Sequence, residues 1–330
     1  MMEKISLVTG ATGHIGYPLL KELADKGEHV RILIRKDSPM FDGINCEKVY
    51  GDVTDYDSLL KAFEGVDVVY HLAGIIDINP GMEEVTKKVN IEGAKNVFKA
   101  CEECNVRRLV YASSVDAFPP LPGEQVMTEL DHFSPDNLEG TYAKTKAIAT
   151  QCLLDECKAG KIDAVIVHPG ACLGPYDFKV SSVGEMVRMF VNGNFPITLS
   201  FGKYNFVDVR DVAHGMVLAA EKGKTGECFI LTGEVVTVDQ FIKATARACG
   251  KKEPKLSLPY KLVTPFAPLM EKYYKIAKKT PLFTRYSIRK LMSNCNFSCE
   301  KAEKELGYTH MSVQESVNDM VQWIRENEHK

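Results

Sequence analysis

Ile5-Ser6-Leu7-Val8-Thr9-Gly10-Ala11-Thr12-Gly13-His14-Ile15-Gly16 is the stretch that decides how this chain folds. Ile5 to Val8 reads as a strand, residues 17–26 carry a helical pattern, and three glycines fall between them. Gly10 permits a tight turn, Gly13 lets the backbone approach a pyrophosphate, and Gly16 lets helix and strand pack closely. The amides of Thr12, His14 and Ile15 stand at the mouth of the helix, where unsatisfied N–H groups and the helix dipole favour a phosphate. Glycines at this spacing carry little weight alone. Set between a strand and a helix, they specify a dinucleotide site.

Working outward, 330 residues suffice for one large α/β domain with a smaller annex. Lys and Arg total 41 against 44 Asp and Glu, a net charge of −3, and no basic stripe interleaved with aromatics appears. Nucleic acid is therefore not an expected partner, and a small-molecule substrate is. The opening strand leaves no room for a signal peptide, and no run of about 18 apolar residues is present to span a membrane. A cytoplasmic protein is expected. The ten cysteines include Cys101 and Cys104, but no second Cys/His pair stands at zinc-finger spacing, and Cys295 and Cys299 lie in another segment. Free thiols and no metal site are expected.

Apolar runs at 30–34, 66–72, 109–112 and 164–167 read as buried strands, and stretches 82–104 and 141–158 as the crossover helices that parallel pairing requires. The expected fold is α/β, a doubly wound parallel sheet of Rossmann type with a smaller C-terminal substrate lobe. Past Pro169 the rhythm becomes irregular, broken by Gly174-Pro175, Gly193, Pro196, Pro254 and Pro259. Residues 1–168 and 206–232 are assigned to the dinucleotide domain, and 169–205 and 233–330 to the substrate lobe. The return would run through 206–209, a helix over 212–221 and a strand over 228–231.

Chemistry enters at Tyr142-Ala143-Lys144-Thr145-Lys146. Tyr142 and Lys146, four apart, share a helical face. An ammonium there favours phenolate and lowers a phenol pKa from about 10, so Tyr142 can exchange a proton with a substrate oxygen. Ligands of doubly wound sheets bind outside the carboxyl ends of the strands. The fifth strand ends there at Ser113-Ser114, and Ser114 can donate a hydrogen bond to the same oxygen.

These residues resemble the extended branch of the short-chain dehydrogenase/reductases. Besides the glycine loop, the resemblance rests on Gly51-Asp52-Val53, His71-Leu72-Ala73-Gly74, Val89-Asn90-Ile91-Glu92-Gly93, Tyr111-Ala112-Ser113-Ser114, Tyr142 with Lys146, His168-Pro169-Gly170, and Phe206-Val207-Asp208-Val209 followed by Asp211-Val212-Ala213. It covers nearly the whole chain. By resemblance, Ser114, Tyr142 and Lys146 are the catalytic triad, with Lys146 also holding the nicotinamide ribose. Asp52 and Val53 would meet the adenine. Leu72, Ala73, Gly74, His168, Pro169 and Gly170 would line the cofactor, His168 standing where the family has Arg. A homodimer through the helices over 82–104 and 141–158 is also implied, although the same faces suit an ordinary core.

Ile34 occupies the position where NAD-selective sites place an acid, and Arg35 follows with a guanidinium suited to a phosphate. NADP(H) is the expected cofactor, with NAD(H) as the alternative. Against related sugar dehydratases, Ser114-Val115-Asp116 replaces a Thr-Asp-Glu set, so the acid/base pair for expelling water is incomplete. Against UDP-sugar epimerases, Tyr204 stands at the position of an Arg that grips a diphosphate, with only Lys203 beside it. The C-terminal segment Leu258 to Met270, then Tyr273-Tyr274 and Pro281 to Tyr286, is apolar and aromatic. It resembles the dihydroflavonol reductase and 3β-hydroxysteroid dehydrogenase side of the family and suits a hydrophobic ring-bearing substrate. Arg285 would bind a substrate anion or pair locally. The expected activity is ketone/secondary-alcohol interconversion on a steroid- or flavonoid-like substrate. The alternative is a nucleotide-sugar 4-epimerase that retains NAD.

Overall fold

The computed structural model describes residues 4–76, 81–193, 197–269 and 285–327, the side chains of 285–287 excepted. Seven parallel strands form the main sheet: β1 (Ile5–Thr9), β2 (His29–Ile34), β3 (Glu47–Tyr50), β4 (Val66–His71), β5 (Arg108–Ala112), β6 (Ala164–Pro169) and β10 (Cys228–Leu231). Their spatial order is β10-β6-β5-β4-β1-β2-β3. The order reverses between β1 and β4, which places a crevice outside the carboxyl ends of those two strands. Apart from the edge strand β3, the strands are largely buried on both faces, as parallel sheets require. On one face Leu59, Phe63, Val97, Phe98, Leu153 and Leu154 pack from α2 (Tyr56–Phe63), α4 (Ala94–Glu103) and α5 (Thr141–Lys158). On the other, Leu19, Leu20, Leu23, Val212 and Met216 pack from α1 (Gly16–Asp25) and α7 (Val209–Lys222).

Two expected elements differ. The helix read as continuous over 82–104 begins with α3 (Glu83–Lys87), opens into a turn of π-helix over Lys88–Gly93, and resumes as α4. Within the returning stretch 206–232, α7 and β10 rejoin the main sheet. The preceding strand β9 (Lys203–Asp208) instead pairs with β7 (Ala171–Leu173) and β11 (Glu234–Thr237) in a separate three-stranded sheet. That small sheet seats the C-terminal lobe. Its own core joins Leu173, Val187, Phe190, Phe206, Phe241, Ile242, Val317, Met320 and Ile324, contributed partly by α6 (Ser182–Asn192), α8 (Val238–Ala248) and the helix Val313–Asn327. The lobe reaches back over the main sheet near Ser114. Met127 N–H donates to Asn296 O at 2.8 Å, and Lys290 meets Asp116 at 2.5 Å.

Candidate active site

The glycine loop is tied down from both neighbouring strands. Gly10 has φ +77, and a side chain there would place Cβ 2.7 Å from the Ala73 nitrogen. A Cβ on Gly16 would fall 2.2 Å from Gly10 O, so close packing excludes any larger residue at either position. Thr9 O accepts from Leu72 N–H at 3.1 Å, and the Thr9 hydroxyl meets His71 Nδ1 at 2.7 Å. Leu72, Ala73 and Gly74 thereby run alongside the loop. Gly74 lacks the Cβ that would stand 3.6 Å from Lys146 Nζ, which leaves a cradle between this segment and Lys146. Open amides at the start of α1, which has no side-chain cap, and this cradle fit an extended dinucleotide.

At the far end, Ile34 is buried and Arg35 is 78% exposed, its guanidinium 4.0 Å from Asp52. Asp52 also accepts from Thr54 N–H at 2.9 Å, and Val53 is buried against Gly93.

The residues expected to do chemistry come together at the carboxyl end of β5. Ser114 follows β5 directly and is nearly buried; its hydroxyl accepts from Asp116 N–H at 3.1 Å. Tyr142 lies in the first turn of α5, its phenol under the influence of the neighbouring Ser114 side chain. One turn on, the buried Lys146 donates from Nζ to Ala112 O at 2.6 Å and lies 4.9 Å from the centre of the Tyr111 ring. The expected lowering of the phenol pKa by Lys146 is not found. Burial and the Asp116 carboxylate push Tyr142 up, opposed by the Ser114 side chain. The reason lies in Lys146 itself, whose own pKa burial brings down to about 7.

Two residues take positioning roles that the sequence reading did not assign: Asn90, quoted there only within a motif, and His168, expected there to line the cofactor. Asn90, within the π-turn, accepts from Ile75 N–H at 2.8 Å and donates to Ile75 O at 3.0 Å and to the Thr145 hydroxyl at 3.1 Å. It ties the loop after β4 to α5 between Tyr142 and Lys146. His168, fully buried, donates from Nδ1 to Ser114 O at 3.2 Å. Its ring stacks on Phe133 at 5.1 Å and meets Phe118 edge-on at 4.9 Å. His168 thus supports Ser114 from behind, with Pro169 buried beside it and Gly170 N–H bonded to Leu231 O at 3.0 Å.

A strap over residues 174–180 crosses the glycine loop from the lobe side. His14 Nε2 meets Pro175 O at 3.0 Å, and the Tyr17 ring packs on Tyr176 at 5.0 Å and Phe178 at 5.1 Å. Tyr176 and Val180 have φ of 68 and 50, left-handed conformations that cost about 1–2 kcal/mol each without a glycine. The packing around the strap holds that strain.

Of the C-terminal apolar residues, Leu258 and Val263 pack against the lobe core, whereas Leu262, Phe266 and Leu269 are exposed. Met270, Tyr273, Tyr274 and 281–284, with the side chains of Arg285 and Tyr286, lie outside the described residues. All ten cysteines are free. Cys299, Glu303 and His310 bring ligand atoms within 4.8 Å of one another on the surface of the lobe. Among the described residues no helix is long and apolar enough to cross a membrane.

A model of the NAD dependent epimerase/dehydratase family matches residues 6–232. The chain belongs to that family. This is the extended short-chain dehydrogenase/reductase group, whose cofactor is a nicotinamide dinucleotide. Sterol demethylase protein B of Methylococcus capsulatus is 34% identical over 327 residues, 97% of this chain and 98% of its own. A 3-beta-hydroxysteroid dehydrogenase of Mycolicibacterium neoaurum is 28% identical over 92% of this chain and 86% of its own. Among solved structures, gox2253 superposes with a TM-score of 0.84 at 31% identity, covering 98% of each chain. Within a family of dehydrogenases, reductases, epimerases and dehydratases, this chain is an oxidoreductase acting on CH–OH groups.

Proposed function

We propose that the protein is an NADP(H)-dependent oxidoreductase interconverting a ketone and a secondary alcohol on a hydrophobic cyclic substrate of steroid kind. The observation that carries this reading is the convergence at the carboxyl end of β5 of the Ser114 hydroxyl, the Tyr142 phenol and, one turn along the same helix, the buried Lys146. When bound, the nicotinamide supplies or accepts the hydride. Tyr142 gives its proton to the substrate oxygen in reduction and takes it back in oxidation. Ser114 hydrogen-bonds the same oxygen, and its backbone carbonyl is fixed by His168. Lys146 sits beside the Gly74 cradle, where it can bind the ribose and steady charge on the phenol.

Support for NADP(H) comes from the buried Ile34 where an acid would select NAD, and from the exposed Arg35, whose guanidinium lies 4.0 Å from Asp52. Support for a steroid comes from the names of the two relatives above and from the apolar residues of the lobe. Epimerisation of a nucleotide sugar is less well served, because Lys203, the cation beside Tyr204, pairs with Glu124 at 2.5 Å.

Absorbance at the NADPH band is the assay, with steroid ketones, flavanonols and UDP-sugars offered in turn. Net oxidation of NADPH with a steroid ketone is expected. Tyr142→Phe should lower kcat by at least 100-fold, the scale of general acid catalysis, with cofactor affinity nearly unchanged. Retained turnover in that variant refutes the assignment.

A further inference from the structure

Lys179, in the strap, reaches across the molecule to donate from Nζ to the Thr12 hydroxyl at 3.0 Å, a contact between residues 167 apart in sequence. Thr12 belongs to the glycine loop. Register places that loop beside the end of β2, since Thr9 is paired with Leu33 and Ile34 and Arg35 follow. Arg35 thus stands at the carboxyl end of β2 beside the loop, and Lys179 meets the loop from the strap. Burial and, secondarily, the charge of Arg35 hold the Lys179 pKa down.

An anion bound beside this loop meets a positive charge from each of them. The acids on either side do not fill that role. Asp52 touches Arg35 only at 4.0 Å, and Asp177, two residues before Lys179, is buried and committed to Ser181 and Arg188 at 2.9–3.0 Å. Lys179 is exposed, but its backbone is held on both sides. Phe178 before it packs on Tyr17 and Trp323, at 5.1 Å from each ring centre, and Val180 after it is held left-handed.

We propose that Lys179, Thr12 and Arg35 form a binding site for the 2′-phosphate of NADP(H), with the strap supplying a cofactor-specificity residue from the substrate lobe. The inference rests on the NADP(H) reading above and deepens it. Its position explains the chemistry required: the ribose of a dinucleotide lies at the end of β2, and the Thr12 hydroxyl, with Lys179 on it and Arg35 at the strand end, offers the mixed donors that a phosphate dianion accepts. Lys179 exchanges its single contact to Thr12 for the phosphate.

Titration calorimetry with adenosine 2′,5′-bisphosphate and adenosine 5′-monophosphate tests this directly, because the two probes differ only in the 2′-phosphate. Wild type is expected to bind the bisphosphate more tightly. Lys179→Ala should weaken the bisphosphate about tenfold or more, the value of a charge-assisted hydrogen bond, while leaving the monophosphate within twofold. Lys179→Arg should restore most of the loss. Equal weakening of both probes, or no weakening of the bisphosphate, overturns the proposal. If Arg35→Ala weakens the bisphosphate and Lys179→Ala does not, the proposal fails and NADP(H) stands. If wild type binds the two probes equally, the NADP(H) reading fails and takes this proposal with it.

Discussion

Burying an ammonium at Lys146 brings its pKa down to about 7, against about 10.4 in an unfolded chain. Below about pH 7 both states hold the proton, and the fold bears the whole cost of an ammonium withdrawn from water. As pH rises from about 7 to about 10.4 the folded protein has released a proton that the unfolded chain still binds, so stability rises. Removing the amine should therefore help most at low pH. Lys146→Met is expected to raise the denaturation midpoint of the cofactor-free protein at pH 6, with the gain shrinking steadily between pH 7 and 10. Chemical denaturation across that range checks it, and a gain that is flat with pH would show that the ammonium is well solvated. On the function proposed above, ribose hydroxyls accepting from Lys146 at the Gly74 cradle would favour the charged form, in which Lys146 could act on the Tyr142 phenol. Spacing alone showed that these two residues share a face. It could not show the Ala112 carbonyl or the desolvation, which depend on strands and helices far away in sequence.

At the scale of elements, the π-turn over Lys88–Gly93 explains how one asparagine reaches both the β4 loop and α5. One extra residue in the turn swings Asn90 inward, where it makes three hydrogen bonds while almost wholly buried. Asn90→Ala strands the Ile75 amide and the Asn90 side of Thr145, so a loss of about 2–3 kcal/mol is expected from unmet buried groups. Urea unfolding measures it; a loss under about 0.5 kcal/mol, the usual scale of surface substitutions, would mean that water replaces the side chain readily. The glycine loop, the main strands and α5 were legible in sequence because each depends on local signals, turn residues and apolar runs. β3 was not, since Glu47-Lys48-Val49-Tyr50 carries no apolar run and is held as an edge strand only by pairing with β2. The π-turn was illegible for a similar reason: its residues read as ordinary helix, and only the packing of Gly93 on Val53 and the bonds of Asn90 distinguish it. The strap was hidden by distance. Nothing near Lys179 in sequence points to Thr12.

For the molecule as a whole, two histidines link the fold to pH. His71 and His168 are buried, and burial lowers each to about 3, with the charge of Lys146 contributing to both. As pH falls below about 6.5 the unfolded chain takes up protons that the folded one refuses until about 3, so stability is lost across that window. At pH 5 the loss is about 2 kcal/mol for each ring. His168→Gln, which retains a donor for Ser114 O, should lose about 2 kcal/mol less than wild type between pH 7.5 and 5. Equal losses in the two proteins would show that His168 is protonated in the native state. The arrangement of lobes has one more consequence. Trp323, the single tryptophan of the chain, stands edge-on to Phe178 at 5.1 Å and 6.3 Å from Tyr176, both in the strap. Indole emission from this protein therefore comes from one known place, against the segment that spans the glycine loop. Its colour and lifetime report the strap's surroundings without any added dye. A reduced nicotinamide bound in the crevice below would draw energy from it, giving the molecule a built-in optical gauge of its own loading.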